Sequence, residues 1–179
     1  MFVSEIIPNL WVCDYDVVNS TYFNNRNIGL YIHIYSFQNE LNENLNFQKK
    51  MGNNQECIDI QIKEINQNMR YSQNSIIQRQ IMRYSKDFAK HIYNNINQIN
   101  NTLIYRRGVV IFSKHGIQKA ATVAAGYLIS KGDMKGDSSV IVMKSKEPLF
   151  FKNIETNELY NESYNVLYEY TLKYIENMV

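Results

Sequence analysis

An α/β or α+β sandwich is what this 179-residue sequence predicts, and three features predict it. Short apolar runs of strand length occupy the first third of the chain. The apolar spacing then switches to a helical period near residue 77. One continuous apolar run, Gly108-Val-Val-Ile-Phe112, leads through a tight loop into a second helical stretch.

In chain order, Glu5-Ile-Ile-Pro-Asn-Leu-Trp-Val-Cys13 reads as two short strands broken at Pro8-Asn9, and Tyr31-Ile-His-Ile-Tyr35 as a third. Ile58, Ile60 and Ile62 alternate with polar residues, which predicts a fourth strand with one buried face. After serines at 72 and 75, residues Ile77, Ile81, Tyr84, Phe88, Ile92, Ile96 and Ile99 lie along one face of a helix. The run 108–112 is apolar without interruption, the pattern of a central strand buried on both faces. Ala120, Ala121, Ala124, Tyr127 and Leu128 continue a helix that stops at Lys131-Gly132, with glycine as the expected terminator. Residues 138–144 stay open between a strand, favoured by Val140, Ile141 and Val142, and a short helix capped by Asp137 or Ser138. Leu159, Tyr160, Tyr164, Leu167, Tyr170, Tyr174 and Ile175 place a long amphipathic helix over 157–178.

Length and an apolar share of 45% suit one domain, 1–179, with one core, and two prolines without a Gly/Ser linker give no point of division. A net charge of +2 without a run of five like charges gives no footing for nucleic-acid binding. No apolar run approaches the roughly 18 residues of a membrane span, so a soluble intracellular protein is expected. It would be cytoplasmic or part of a cytoskeletal assembly, with a virion component as an alternative. Cys13 and Cys57 form no Cys-x-x-Cys and meet no paired histidines, which predicts buried thiols in a reducing compartment and no metal or other cofactor. His33 and His91 read as structural or exposed, and Arg106-Arg107 as a turn before a strand.

A strand that feeds a tight loop opening onto a helix N-terminus converges backbone N–H groups and the helix dipole on one point, which suits an anion. Here the loop is Phe112-Ser113-Lys114-His115-Gly116-Ile117-Gln118-Lys119-Ala120, followed by Ala121-Thr122. It resembles the His-Cys-x-x-Gly-x-x-Arg-Ser signature of the dual-specificity and tyrosine phosphatases, aligned on Gly116 and the helix after it. The resemblance extends to Glu5-Ile-Ile-Pro-Asn-Leu-Trp-Val as the family's opening strands and to Ile28-Gly-Leu-Tyr-Ile-His-Ile as its next strand. Met143-Lys-Ser-Lys-Glu-Pro148 matches the family's Val-Lys-x-x-Arg-Pro stretch. It implies a central mixed, mostly parallel sheet flanked by helices.

The loop departs from that signature where the chemistry happens. The family's nucleophile is a cysteine thiolate; Ser113 stands there, and a hydroxyl ionises far less readily. The family's arginine grips the phosphoryl group through two parallel hydrogen bonds; Lys119 stands there as a point charge on a flexible stem. Ala120 replaces the Ser or Thr that bonds the nucleophile, and Phe112 replaces the histidine. Glu64 is the nearest match to the family's general acid, with an insertion expected around 65–75 between it and the loop. Restoring a cysteine at 113 would still leave Lys119, Ala120 and Phe112.

The resemblance therefore implies no catalytic residue, but a pseudophosphatase that lends a folded surface to a protein partner or a larger assembly. One alternative is that Lys114, His115 and Lys119 still hold a phosphate or phosphoprotein without hydrolysis; another leaves them as solvated cations. A third is an enzyme, either a weakly active phosphatase using Ser113 or a different reaction using Lys119, His115 and Glu64. The tyrosines of the last helix read as packing, with an interface as the alternative.

Overall fold

The computed structural model describes residues 1–36, 51–63, 75–152 and 166–179, the side chain of Val166 excepted. Among these residues five strands, β1 (Val3–Ile7), β2 (Leu10–Cys13), β3 (Ile28–Tyr35), β4 (Glu56–Gln61) and β5 (Gly108–Phe112), form one sheet in the order β1-β2-β5-β3-β4. β1 and β2 pair antiparallel, and every other pair is parallel, so the sheet is mixed and mostly parallel as the resemblance implies. Among the described residues five helices accompany it: α1 (Tyr15–Asn19), α2 (Ser75–Ile104), α3 (Lys119–Gly132), α4 (Gly136–Lys146) and α5 (Val166–Glu176).

The period of two along the central strands sorts side chains between the two faces. Leu10 and Val12, Leu30, Ile32 and Ile34, and Val109 and Ile111 point to one face and pack with α2 and α3, on which α5 lies in turn. Trp11 and Cys13, Tyr31, and Val110 and Phe112 point to the other, where α1 and Phe23 cover them. β5 is thus buried on both sides, as its uninterrupted apolar run predicts.

The helix predicted from 77–99 runs further at both ends, and Ile81, Phe88, Ile92, Ile96 and Ile99 are buried along its inner face together with Ser85 and Ala89. Residues 138–144 are helical, inside α4. The element packs on α3 and β1, and Ser139, buried, bonds its hydroxyl to Gly136 O at 2.7 Å; tertiary burial outweighs the β-branched propensity. Its cap is Lys135, not Asp137 or Ser138. Likewise Gly132 lies within α3, and the left-handed residue that ends the helix is Asp133, φ 53°.

On α5 the buried face is Leu167, Tyr168, Thr171, Leu172 and Ile175, while Tyr170 and Tyr174 sit at its edge. Leu159, Tyr160, Tyr164 and Glu64 lie outside the described residues, as does the insertion expected around 65–75 except Ser75, the first residue of α2. Of the two cysteines, Cys13 is buried but Cys57 is only half-buried, because it lies on edge strand β4. Among the described residues no helix is long and apolar enough to cross a membrane.

Candidate functional site

Strand β5 ends at Phe112, and residues 113–118 curl from it to the first residue of α3, Lys119. The curl rests on the neighbouring strand end. Ser113 N donates to Cys13 O at 3.4 Å, extending the β2–β5 ladder by one step. Gly116 takes φ 74°, and a Cβ there would come within 2.7 Å of the Cys13 carbonyl and 2.8 Å of the Phe2 ring. Glycine is required on both counts. Phe2 is itself anchored, its N–H donating to Asp14 Oδ2 at 2.6 Å while Oδ1 caps α1 through Val17 N.

A second brace comes from the turn after Pro148. Phe151 N donates to Ile117 O at 2.7 Å, and Gln118 Nε2 donates to Lys152 O at 2.7 Å. Phe150 and Phe151 are buried, and Phe150 meets Phe2 edge to face. Sequence reasoning used Pro148 for alignment but missed this bracing role; its signal was the apolar pair following that proline.

Within the loop, Ser113 is 2% exposed, and its hydroxyl oxygen accepts the N–H of Gly116 at 3.2 Å. A backbone donor aimed at that oxygen would favour negative charge on whatever atom stood there. Among the described residues, however, no histidine or carboxylate bonds the hydroxyl to take its proton. Lys114 and His115 are exposed, Gln118 and Lys119 are half-buried, and Ile117 and Ala120 are buried. The loop thus brings Ser113, Lys114, His115 and Lys119 into one short turn, with apolar residues turned inward.

Phe112 belongs to a side-chain row across the sheet. Cys13, Phe112, His33 and Asp59 are successive register partners on β2, β5, β3 and β4. His33 is fully buried, stacked between Phe112 and Tyr35 with ring centroids 5.0 and 5.2 Å away. Its Nδ1 lies 2.9 Å from Asp59 Oδ1, and its Nε2 is bonded by the Tyr15 hydroxyl. A carboxylate only accepts, so Nδ1 carries a proton, and in the neutral ring Nε2 accepts from Tyr15. His33 is structural, as expected; His91 is exposed, and Arg106-Arg107 form the turn before β5. At the β2 end of the row, burial and then the Asp14 carboxylate push the Cys13 thiol well above its ordinary range, so it is a protonated core group.

Sheet order, curled loop and following helix define a dual-specificity phosphatase-like fold. Solved structures share it over nearly their whole length. The human tyrosine phosphatase-like serine/threonine/tyrosine-interacting protein matches with TM-score 0.66 and 14% identity over 98% of this chain and 96% of that one. Human DUSP28 matches with TM-score 0.62 and 12% identity over 98% and 94%. Tk-PTP in its active form matches with TM-score 0.62 and 13% identity over 99% and 97%. At such identities the likeness is one of fold. No family model and no curated protein sequence matches the chain.

Proposed function

We propose that this chain is a pseudophosphatase, a protein-binding or structural component of a larger assembly whose loop holds a phosphorylated group without hydrolysing it. The observation that carries the reading is the state of position 113. The hydroxyl receives an amide N–H from Gly116, as an anion cradle requires, but it is a poor nucleophile with no base bonded to it among the described residues. Lys119 supplies charge without a two-pronged grip, and Ala120 supplies no hydroxyl. Scaffold and cations suit retention of an anion, while the missing groups are those of attack and transition-state clamping. Supporting the reading by analogy, one structural neighbour carries "interacting protein" in its own name beside a phosphatase-like fold.

The test is the melting temperature with a phosphopeptide and with its unphosphorylated counterpart, alongside an assay for released phosphate. A ligand bound only by the folded state stabilises it, by about 2.7 kcal/mol at a hundredfold excess over Kd. Stabilisation by the phosphopeptide alone, without phosphate release, supports the reading. Equal effects of the two peptides would remove the loop from it and leave a bare scaffold.

A further inference from the structure

A cleft of about 860 Å³ opens at the N-terminal ends of β3, β4 and β5. The whole of β5, five residues or about 16 Å of strand, separates it from the loop. Two guanidinium groups line it, and both are held in place. Arg26 lies over Trp11 and Tyr22, its Cζ 4.4 and 4.8 Å from their ring centroids. Arg107 lies across β3 at Gly29, where a Cβ would fall 2.6 Å from its Nε, and its Nη2 donates to the Asn54 carbonyl. The strand admits that guanidinium because residue 29 has no side chain.

Amides surround the two cations: Asn24 and Asn53, Asn27, whose Nδ2 donates to the Arg106 carbonyl, and Gln55, whose Oε1 accepts from Gly52 N and whose Nε2 donates to the Ile28 carbonyl. Among the described residues one carboxylate lines the cleft, Glu56, and Gln98 Nε2 already donates to it at 2.6 Å. Arg107 and Glu56 also line an adjoining recess of about 390 Å³ beside Tyr105, which is 79% exposed. The lining therefore runs on around the end of α2. A guanidinium stacked on an aromatic face offers its N–H edges in its own plane, the geometry a carboxylate accepts through paired bonds. The side-chain amides of Asn24 and Asn53 match both the N–H and the C=O of an extended backbone.

We propose that this cleft docks an extended acidic segment of a protein partner, its carboxylates on Arg26 and Arg107 and its backbone on the amides. The inference deepens the protein-binding reading and rests on it for the existence of a partner, but the loop takes no part.

The test measures binding of a labelled short Glu- and Asp-rich peptide by fluorescence anisotropy. The fluorescence of Trp11, the chain's single tryptophan, reports on the site. The acidic peptide should bind saturably and perturb Trp11, with the Gln/Asn counterpart weaker by about tenfold or more. Arg26→Gln and Arg107→Gln should each weaken binding by about tenfold, and the charge-keeping Arg26→Lys and Arg107→Lys by less, with circular dichroism confirming that each variant is folded. Lys119→Ala should leave binding unchanged. Absence of binding to the native protein, insensitivity to the arginine changes, loss with Lys119→Ala, or equal affinity for a nucleic-acid oligomer of matched charge would each overturn the proposal. A negative result leaves the loop reading standing, because that reading is judged with phosphopeptide.

Discussion

The imidazole of His33 lies nearly flat against the ring of Phe112, centroids 5.0 Å apart and planes inclined by 18°. The phosphatase signature has a histidine where Phe112 stands, so an apolar ring fills that place while β3 contributes a histidine beside it, tied to Asp59 and Tyr15. A polar chain centred on the buried His33 therefore lies beside the residue that precedes Ser113.

Removing His33 tests how far this row holds the sheet together. His33→Ala leaves a cavity between two rings and strips Tyr15 and Asp59 of a partner. The expected loss is about 2–4 kcal/mol in urea denaturation. A change below about 1 kcal/mol would show that the row contributes little.

Gly116 combines φ 74° with contact against the Cys13 carbonyl. Gly116→Ala should cost at least about 2 kcal/mol, since the left-handed backbone alone penalises a side chain by about 1–2 kcal/mol. It should also abolish any stabilisation by phosphopeptide. Unaltered melting and unaltered ligand response would mean that the loop does not depend on this turn.

Alkaline pH should weaken the fold. Burial and then Asp14 push the Cys13 thiol upward, and burial and then the thiols of Cys13 and Cys57 push the Tyr31 phenol up to about 12. Both acids keep their protons longer folded than unfolded. Their contribution is thus whole below the unfolded pKa values, about 8.5 for a thiol and about 10 for a phenol, and is lost as pH rises toward the folded ones. Each such proton lowers stability by about 1.4 kcal/mol per pH unit inside its window. Urea midpoints at neutral and alkaline pH measure this, and Cys13→Ala should flatten the onset. A midpoint that holds steady or rises would contradict it.

The amide aimed at position 113 predicts the behaviour of a thiol put there. In Ser113→Cys the new group should react with iodoacetamide at neutral pH faster than Cys13 and Cys57, because the Gly116 N–H and the N-terminus of α3 favour a thiolate. Modification at 113 no faster than at Cys57 would mean the loop no longer stabilises negative charge.

Much of the fold was legible because local periodicity and burial agreed. The apolar run 108–112 reads as a two-sided strand and the spacing from Ile77 to Ile99 as a helix, and the structure has both. Residues 138–144 were not legible, since their helical state is set by packing on α3 and β1 rather than by their own pattern. α1 went unread although Asp14 ahead of Tyr15 is a capping signal, because five residues give no period to see. Loop positions could be aligned one by one from the sequence. The row of Phe112, His33 and Asp59 could not, because it joins three strands distant in sequence and depends on their register.

The most direct measurement is the initial rate of aryl phosphate hydrolysis by the native chain, by Ser113→Ala and by the double variant Ser113→Cys/Lys119→Arg. A pseudophosphatase should show no turnover above buffer in the first two, whatever the double variant recovers. Hydrolysis by the native chain that Ser113→Ala abolishes would contradict the account.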